Sequence, residues 1–338
     1  MPSIKDVARL AGVSVATVSR ALSHPERVRP ETRERVLAAV RETGYVANQL
    51  AVNLRRRRSR TAVVLVPDIA NLYYARIVQE VEAVARSRGY QILLGETAQD
   101  PQLEQAYAGL VRRGVADGII SLGMKIPFPV HPRRRHPDPA WPPLVMIGEY
   151  TGGFAVPRVG IDNVRAGADA TAHLVGLGHR RIAFLGGPED FTLCQERLAG
   201  FRKVMAEAGL GVPPDYVLFG DFKLDEGYRM ARHLFATCAE PPTALFCAND
   251  EIAMGAMKAL RELAIAVPER VSLIGFDDLE IAPYLSPPLT TIHQPRRTMG
   301  RTAMEMLVEL IEGRAVAEPR PILAHRLVVR DSTAPPPG

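Results

Sequence analysis

The chain has 338 residues, with 42 Lys plus Arg against 37 Asp plus Glu, and a formal net charge of +5. That length exceeds one small core and suits a head piece with a larger body; no apolar run nears about 18 residues and no charged-then-apolar leader opens the chain, so neither a membrane span nor a secretory signal is expected and a cytoplasmic protein is. Cys194, Cys238 and Cys247 are odd in number and form no CxxC pair, which excludes a zinc site and a disulfide framework and reads as buried thiols; no cofactor is expected.

The charge is unevenly placed. Residues 1–60 hold 13 Lys plus Arg and 5 Asp plus Glu, a net of +8, and the remaining 278 residues carry a net of −3. A basic excess confined to one small module is what a polyanion partner requires. Within it, Ser3 with Asp6 is a capping-box-like start, and Ile4, Val7, Ala8 and Ala11 recur at helical spacing until Gly12 ends the run. Ser14 can cap a second helix in which Val18 and Leu22 face inward, leaving Val15, Ala16, Thr17, Ser19 and Arg20 on or near the outer face. Pro30 opens a third helix with Val36, Leu37 and Val40 inside and Gly44 as its stop.

Two helices joined by a tight turn and followed by a third describe a helix-turn-helix. The outward side chains suit a DNA groove, because small apolar groups can touch a thymine methyl, arginine can pair bidentately with guanine and hydroxyls can hold phosphates. An ordinary amphipathic hairpin is the competing reading, and the punctuated third helix argues against it. Next, Asn48 can cap a helix of two turns at most, a length marginal in water without a partner surface. Leu50 and Leu54 beside the four arginines Arg55–Arg58 suit a minor-groove wedge, with a solvated basic linker as the alternative.

From residue 61 the pattern alternates. Strands are predicted at 61–66, 90–94, 118–121, 144–147, 181–185, 216–219, 244–247 and 271–275, and helices at 76–88, 103–113, 166–177, 195–208, 225–235 and 252–263. Such alternation means parallel sheets covered on both faces, with length enough for two similar lobes that bind ligands at the carboxyl ends of their strands. Seven prolines in 125–143 rule out a regular helix there, so an irregular loop is expected, with Trp141 as an anchor; His131 and His136 among its arginines read as solvated rather than as a metal site. Neither GxGxxG after a strand nor GxxxxGK[ST], HExxH or GxSxG occurs, so no enzyme chemistry is visible.

Several segments together resemble the lac repressor and gal repressor family of bacterial transcription regulators. They are Ile4–Ala8, Ala11–Arg20, Thr32–Val36 and Gly44–Asn48 in the head, and His179–Ala183, Arg197–Phe201, Ala248–Asp250, Gly275–Asp278 and Pro288–Ile292 in the body. The resemblance implies an α/β protein with a small all-α helix-turn-helix head and a two-lobed periplasmic-binding-protein-like body of parallel sheets. By similarity, 1–46 is the head, 47–60 a hinge helix and basic linker, 61–333 the effector-binding and dimerisation body, and 334–338 a Pro-rich tail. The first lobe would hold 61–160 and 291–321 and the second 161–290 and 322–333, with three crossings between them.

The same resemblance implies a homodimer on a near-palindromic double-stranded operator, acting as a repressor whose affinity responds to a small molecule held between the lobes. Val15, Ala16 and Arg20 would read bases, Ser14, Thr17 and Ser19 would lie near phosphates, and Leu54 falls at the intercalating hinge position. Arg29 stands where the family has a small hydroxyl capping the third helix, which costs at most a cap and adds a phosphate contact. In the cleft, Asp277 would accept hydrogen bonds from vicinal hydroxyls, Arg197 and Asn249 match polar positions of the family site, and Phe222, Tyr73 and Tyr74 supply aromatic faces. Helix capping competes for Asp277 and Asn249, and lobe packing for the tyrosines. A sugar is the first expectation for the effector, with a purine or a protein partner as alternatives; a solute sensor without a DNA role is the remaining class.

Overall fold

A computed structural model describes residues 2–45, 58–128, 141–148 and 156–337. The chain divides into two compact units, Met1–Ser59 and Arg60–Gly338.

The first unit holds α1 (Ile4–Ala11), α2 (Val15–Ser23) and α3 (Pro30–Thr43). At the start of α1 the Asp6 carboxylate accepts from the Ser3 hydroxyl at 2.7 Å and the Ser3 N–H at 3.0 Å, and these bonds hold it below its ordinary pKa. Gly12 and Gly44 end α1 and α3 at φ 62° and 64°, a left-handed conformation that costs other residues about 1–2 kcal/mol. Val7, Val18 and Val36 are fully buried, with Ala8, Ala11, Ala21 and Ala39 around them. Two inward assignments need correction. Ala21 takes the deep position of α2 and Leu22 is half-buried, while Leu37 is exposed, because the buried face of α3 runs through Val36 and Ala39 and Leu37 lies a third of a turn away.

The second unit contains two sheets. The first lobe is built from β1 (Thr61–Val66), α4 (Leu72–Ser87), β2 (Gln91–Glu96), α5 (Pro101–Arg112), β3 (Gly118–Ser121), β4 (Leu144–Ile147), β5 (Arg158–Ile161), α10 (Arg296–Ile311) and β11 (Ile322–Leu323). The second comprises α6 (Asn163–Gly176), β6 (Ile182–Gly186), α7 (Thr192–Glu207), β7 (Val217–Phe219), α8 (Leu224–Thr237), β8 (Ala244–Cys247), α9 (Asp250–Glu262), β9 (Ser272–Asp277), β10 (Thr290–His293) and β12 (Arg326–Val328). The strand orders are β11-β5-β4-β3-β1-β2 and β12-β10-β9-β8-β6-β7, and every neighbouring pair is parallel except β10 with β12.

Strand pairing moves the expected crossings. Thr290–His293 runs beside β9, so the second lobe extends past 290, and Ile322–Leu323 pairs with Gly160–Ile161, which puts it in the first lobe. The chain therefore changes lobe near Asp162, at 294–295 and at 324–325. In each sheet the first strand lies inside, β1 between β2 and β3 and β6 between β7 and β8, and a doubly wound sheet opens its crevice at that switch point.

β5, β10, β11 and β12 escape the reading: Arg158 interrupts β5 and Thr290, Thr291 and His293 interrupt β10, where the equally short β3, β4 and β8 run almost wholly apolar, and β11 and β12 have only two and three residues. Lys125–Phe128 and Trp141–Pro143 form no regular element, and Trp141 packs 5.5 Å from Phe128 beside a small apolar cluster under the first sheet. His131 and His136 lie outside the described residues. All three cysteines are free; Cys194 and Cys247 are buried, whereas Cys238, at the end of α8 in a loop, is only half-buried.

Helix pairs in the second lobe pack through glycine. A Cβ on Gly200 of α7 would stand 2.0 Å from the Val164 carbonyl oxygen of α6, and one on Gly167 would stand 2.4 Å from the Arg197 carbonyl oxygen. Backbone cannot yield as a side chain tip can. Gly200→Ala should therefore destabilise the body by about 1–3 kcal/mol, the usual cost of overpacking, read as a lower denaturation midpoint. An unchanged midpoint would mean the helices are free to separate.

Candidate functional site

In the head, Ser14 caps α2: its hydroxyl oxygen accepts from the Thr17 N–H at 3.1 Å and shares a 2.9 Å hydrogen bond with the Thr17 hydroxyl. This fixes the first turn and presents Val15, 41% exposed, with Ala16 and Arg20 also exposed and Thr17 and Ser19 half-buried at its margins. Arg29 is exposed immediately before α3 and makes no capping hydrogen bond. Leu54 lies outside the described residues.

In the body, all six cleft candidates meet. Tyr73, Tyr74, Arg197, Phe222, Asn249 and Asp277 line one cavity of about 560 Å³ between the lobes. Each reaches it from the carboxyl end of a strand or the helix that follows, as the topology requires. Sequence reasoning missed Asn71, Leu122, Met124, Phe191, Leu193 and Gln294 among the lining residues. A signal existed for one of these: Leu122 follows β3, a strand the sequence places correctly.

The polar groups of the cleft are held by neighbours. Asn249 caps α9 through its side-chain oxygen, which accepts from the Ile252 N–H at 2.8 Å and leaves the amide nitrogen and the oxygen's second lone pair for other partners. Asp277 caps no helix and accepts from Gln294 Nε2 at 2.7 Å. Arg197 donates through Nε to Asn163 Oδ1 at 3.0 Å and through Nη1 to Ala248 O at 2.5 Å, and its guanidinium lies 3.5 Å from the centre of the Phe276 ring. Tyr73 stands edge-on to Tyr74 at 5.3 Å and Phe191 is 6.2 Å from Phe222, so two ring pairs wall the cavity.

Comparison with known proteins agrees with this layout. Residues 3–48 match the family described as bacterial regulatory proteins, lacI family, and 171–333 match a periplasmic binding protein-like domain. The HTH-type transcriptional repressor CytR of Escherichia coli K12 is 38% identical over 331 residues, covering 98% of this chain and 96% of its own. The chain belongs to the LacI family. The HTH-type transcriptional repressor PurR of Vibrio campbellii is 36% identical over 92% of both chains. Among solved structures, a lac repressor dimer bound to operator and the anti-inducer ONPF superposes with a TM-score of 0.86 at 26% identity, covering 98% of this chain and 99% of that one. A CelR–cellobiose complex gives 0.71 at 33% identity, covering 98% and 100%. As a LacI-family member the protein is a DNA-binding transcriptional regulator with a ligand-binding body, and these relatives are regulators rather than enzymes.

The electrostatics of this LacI-family cleft centre on Asp277, which is 4% exposed. Burial pushes its carboxyl up to about 6, against the opposing pull of Arg197, Arg296 and the Gln294 hydrogen bond. Asp250 lies fully buried behind it, accepting from the Leu279 N–H at 2.7 Å and the Thr291 hydroxyl at 2.6 Å, and burial, then the Asp277 charge, raise it well above the carboxylate range. Asp278 behaves oppositely. Although burial would raise it, hydrogen bonds from His293 at 2.8 Å and Arg330 at 2.6 Å bring it down to about 2. Glu251, in the first turn of α9, accepts a hydrogen bond from the Leu72 N–H of the opposite lobe, and burial lifts it to about 7. Burial also raises both tyrosine hydroxyls, which stay neutral donors.

A carboxyl raised in the folded state binds more protons there than in the unfolded chain, so its contribution to stability is full below the unfolded value of 3.8 and is lost as pH rises through about 6. At neutral pH the Asp277 charge therefore costs the ligand-free body roughly 1–3 kcal/mol. Asp277→Asn should raise the melting temperature at about pH 7.5, with the gain vanishing near about pH 4. A melting temperature equally changed at both pH values would show that the charge is not the cause.

Proposed function

We propose that the protein is a dimeric, effector-controlled repressor whose α2 face reads the operator and whose interlobe cleft takes a ligand with vicinal hydroxyls at one end and a planar ring at the other, that is, a nucleoside. The head reading rests on the exposed Val15, Ala16 and Arg20, capped in place by Ser14. These would meet base edges in the major groove, with Ser14, Thr17, Ser19 and Arg29 toward phosphates. Leu54 is assigned the minor-groove wedge of the connecting segment on its sequence position. A dimer would set two heads over a near-palindromic site, and the likeness to a lac repressor dimer bound to operator supports this.

The observation that carries the ligand reading is the composition of one cavity: Asp277, Arg197, Asn249 and Gln294 on the polar side, with Tyr73, Tyr74, Phe191 and Phe222 around them. The ionised Asp277 accepts from paired hydroxyls and Arg197 donates beside it, while the ring pairs suit a flat heterocycle. A plain sugar is the second reading, favoured by the CelR–cellobiose likeness. Ligand and operator affinities must then be coupled reciprocally, typically by about 1–3 kcal/mol.

Calorimetry of the full chain with nucleosides, nucleobases and mono- and disaccharides tests the cleft. Nucleosides are expected to bind and to lose at least about 1.4 kcal/mol, or tenfold, in Asp277→Ala; tighter binding of a sugar lacking a base would favour the second reading. In the head, Arg20→Ala should weaken specific operator binding by about 1–3 kcal/mol at fixed salt and reduce sequence discrimination. Equal losses on specific and random DNA would reduce Arg20 to a phosphate contact.

A further inference from the structure

The cleft continues past its aromatic walls. Met124 and Phe191 also border a second compartment, of about 490 Å³, whose other walls are Gln99, Glu104 and Lys125 from the first lobe and Asp190 from the second. Gln99, Lys125 and Asp190 are exposed surface groups. Glu104 is different: it is 6% exposed, on the inner face of α5, and among the described residues its carboxyl takes part in no hydrogen bond. Neither of its oxygens is sealed in the core, so the carboxyl opens on the compartment, where a ligand donor can reach it. Here burial raises its pKa, Lys125 pulls the other way, and neither supplies a donor in contact.

The backbone beside it is also under constraint. Ala98 and Gln99, one residue beyond β2, both lie at positive φ, 47° and 61°, where L side chains are disfavoured. Consecutive residues held this way cluster at ligand-binding loops, and these place Gln99 on the compartment wall.

Resting on the nucleoside reading above, we infer that this outer compartment is the specificity subsite for the ring, in which the buried Glu104 accepts a hydrogen bond from an amino group on the edge of the heterocycle. The wall around Glu104 offers acceptors on Asp190, a donor on Lys125 and both on Gln99. That mixture complements a heterocycle edge carrying an amine beside an acceptor. A phosphate fits poorly, since Glu104 and Asp190 would face it. A keto-substituted ring would set its carbonyl against a buried carboxylate and leave both unpaired, and sites built to hydrogen-bond a donor reject ligands lacking it strongly.

The test uses the full chain and matched probes: cytidine against uridine and adenosine against inosine, titrated by calorimetry into wild type, Glu104→Gln and Asp190→Asn, with thermal melts to confirm folding. Wild type should bind the amino member of each pair at least tenfold more tightly. Glu104→Gln, whose amide can donate to a carbonyl, should bring that ratio to within about threefold or reverse it by weakening the amino member, whereas Asp190→Asn should move it less. An unchanged ratio in a folded, nucleoside-binding Glu104→Gln overturns the subsite while leaving the cleft reading intact. If Glu104→Gln does not fold, pair ratios near one in wild type overturn the inference and ratios of ten or more, retained in Asp190→Asn, support it. Failure of all four nucleosides to bind wild type overturns both.

Discussion

A carboxylate held out of water next to another is the constraint around which the body is arranged. Asp277 stands at the end of β9 with Asp250 behind it, and two buried like charges cannot both ionise freely. The surroundings answer this at short range: Gln294 donates to one oxygen, Arg197 and Arg296 supply positive potential, and Asp250 is occupied by Leu279 and Thr291. The strand must turn sharply to present both acids, and Asp277 and Asp278 take φ of 116° and 55°, with Asp278 pinned from the other side by His293 and Arg330. Stability is given up locally, and the result is a desolvated acceptor on the wall of the cleft.

Arg197 shows how far back that arrangement reaches. Its guanidinium is fixed by a ring, a side-chain amide and a carbonyl, and its own carbonyl stands where a side chain on Gly167 would go. The glycine contacts of α6 with α7 are thus part of the site, since they set the distance from which Arg197 leans into the cleft. Gly227 and Gly255 make the same close approach between α8 and α9, the helix that Asn249 caps.

How much of this was legible follows from the range of each signal. Caps and periodicity are local, so Ser3, Gly12, Ser14 and Gly44 could be placed from the sequence, and β1, β3, β4 and β8 fall on the predicted bounds. Leu37 was misplaced because an apolar residue one step off the stripe looks like part of it, and α10 went unread although Met299, Ala303, Met304 and Leu307 keep helical spacing and all are buried. The lobe crossings depend on which strands pair across long separations, and β10 and β11 are too short to announce their partners. Motif matches brought Arg197, Asn249 and Asp277 to attention, but they could not show that Gln294 holds Asp277, or that Glu104, distant in sequence, lines the compartment beside the cleft.

Gln294 sits in one of the three segments by which the chain changes lobe. Its amide nitrogen donates to Asp277 of the second lobe at 2.7 Å, and its oxygen accepts from the Tyr73 hydroxyl of the first at 3.3 Å. A second link, from the Leu72 N–H to Glu251, crosses the same cleft one residue earlier in α4, and Arg76 of that helix lies 3.4 Å from Glu280. A ligand that competed for Asp277 would therefore act on the covalent crossing itself, through one amide, and on a helix tied to the opposite lobe at Leu72 and Arg76. A ligand changes an equilibrium only through contacts that differ between its states. In this body the groups that a cleft ligand would compete for are the ones that link the lobes.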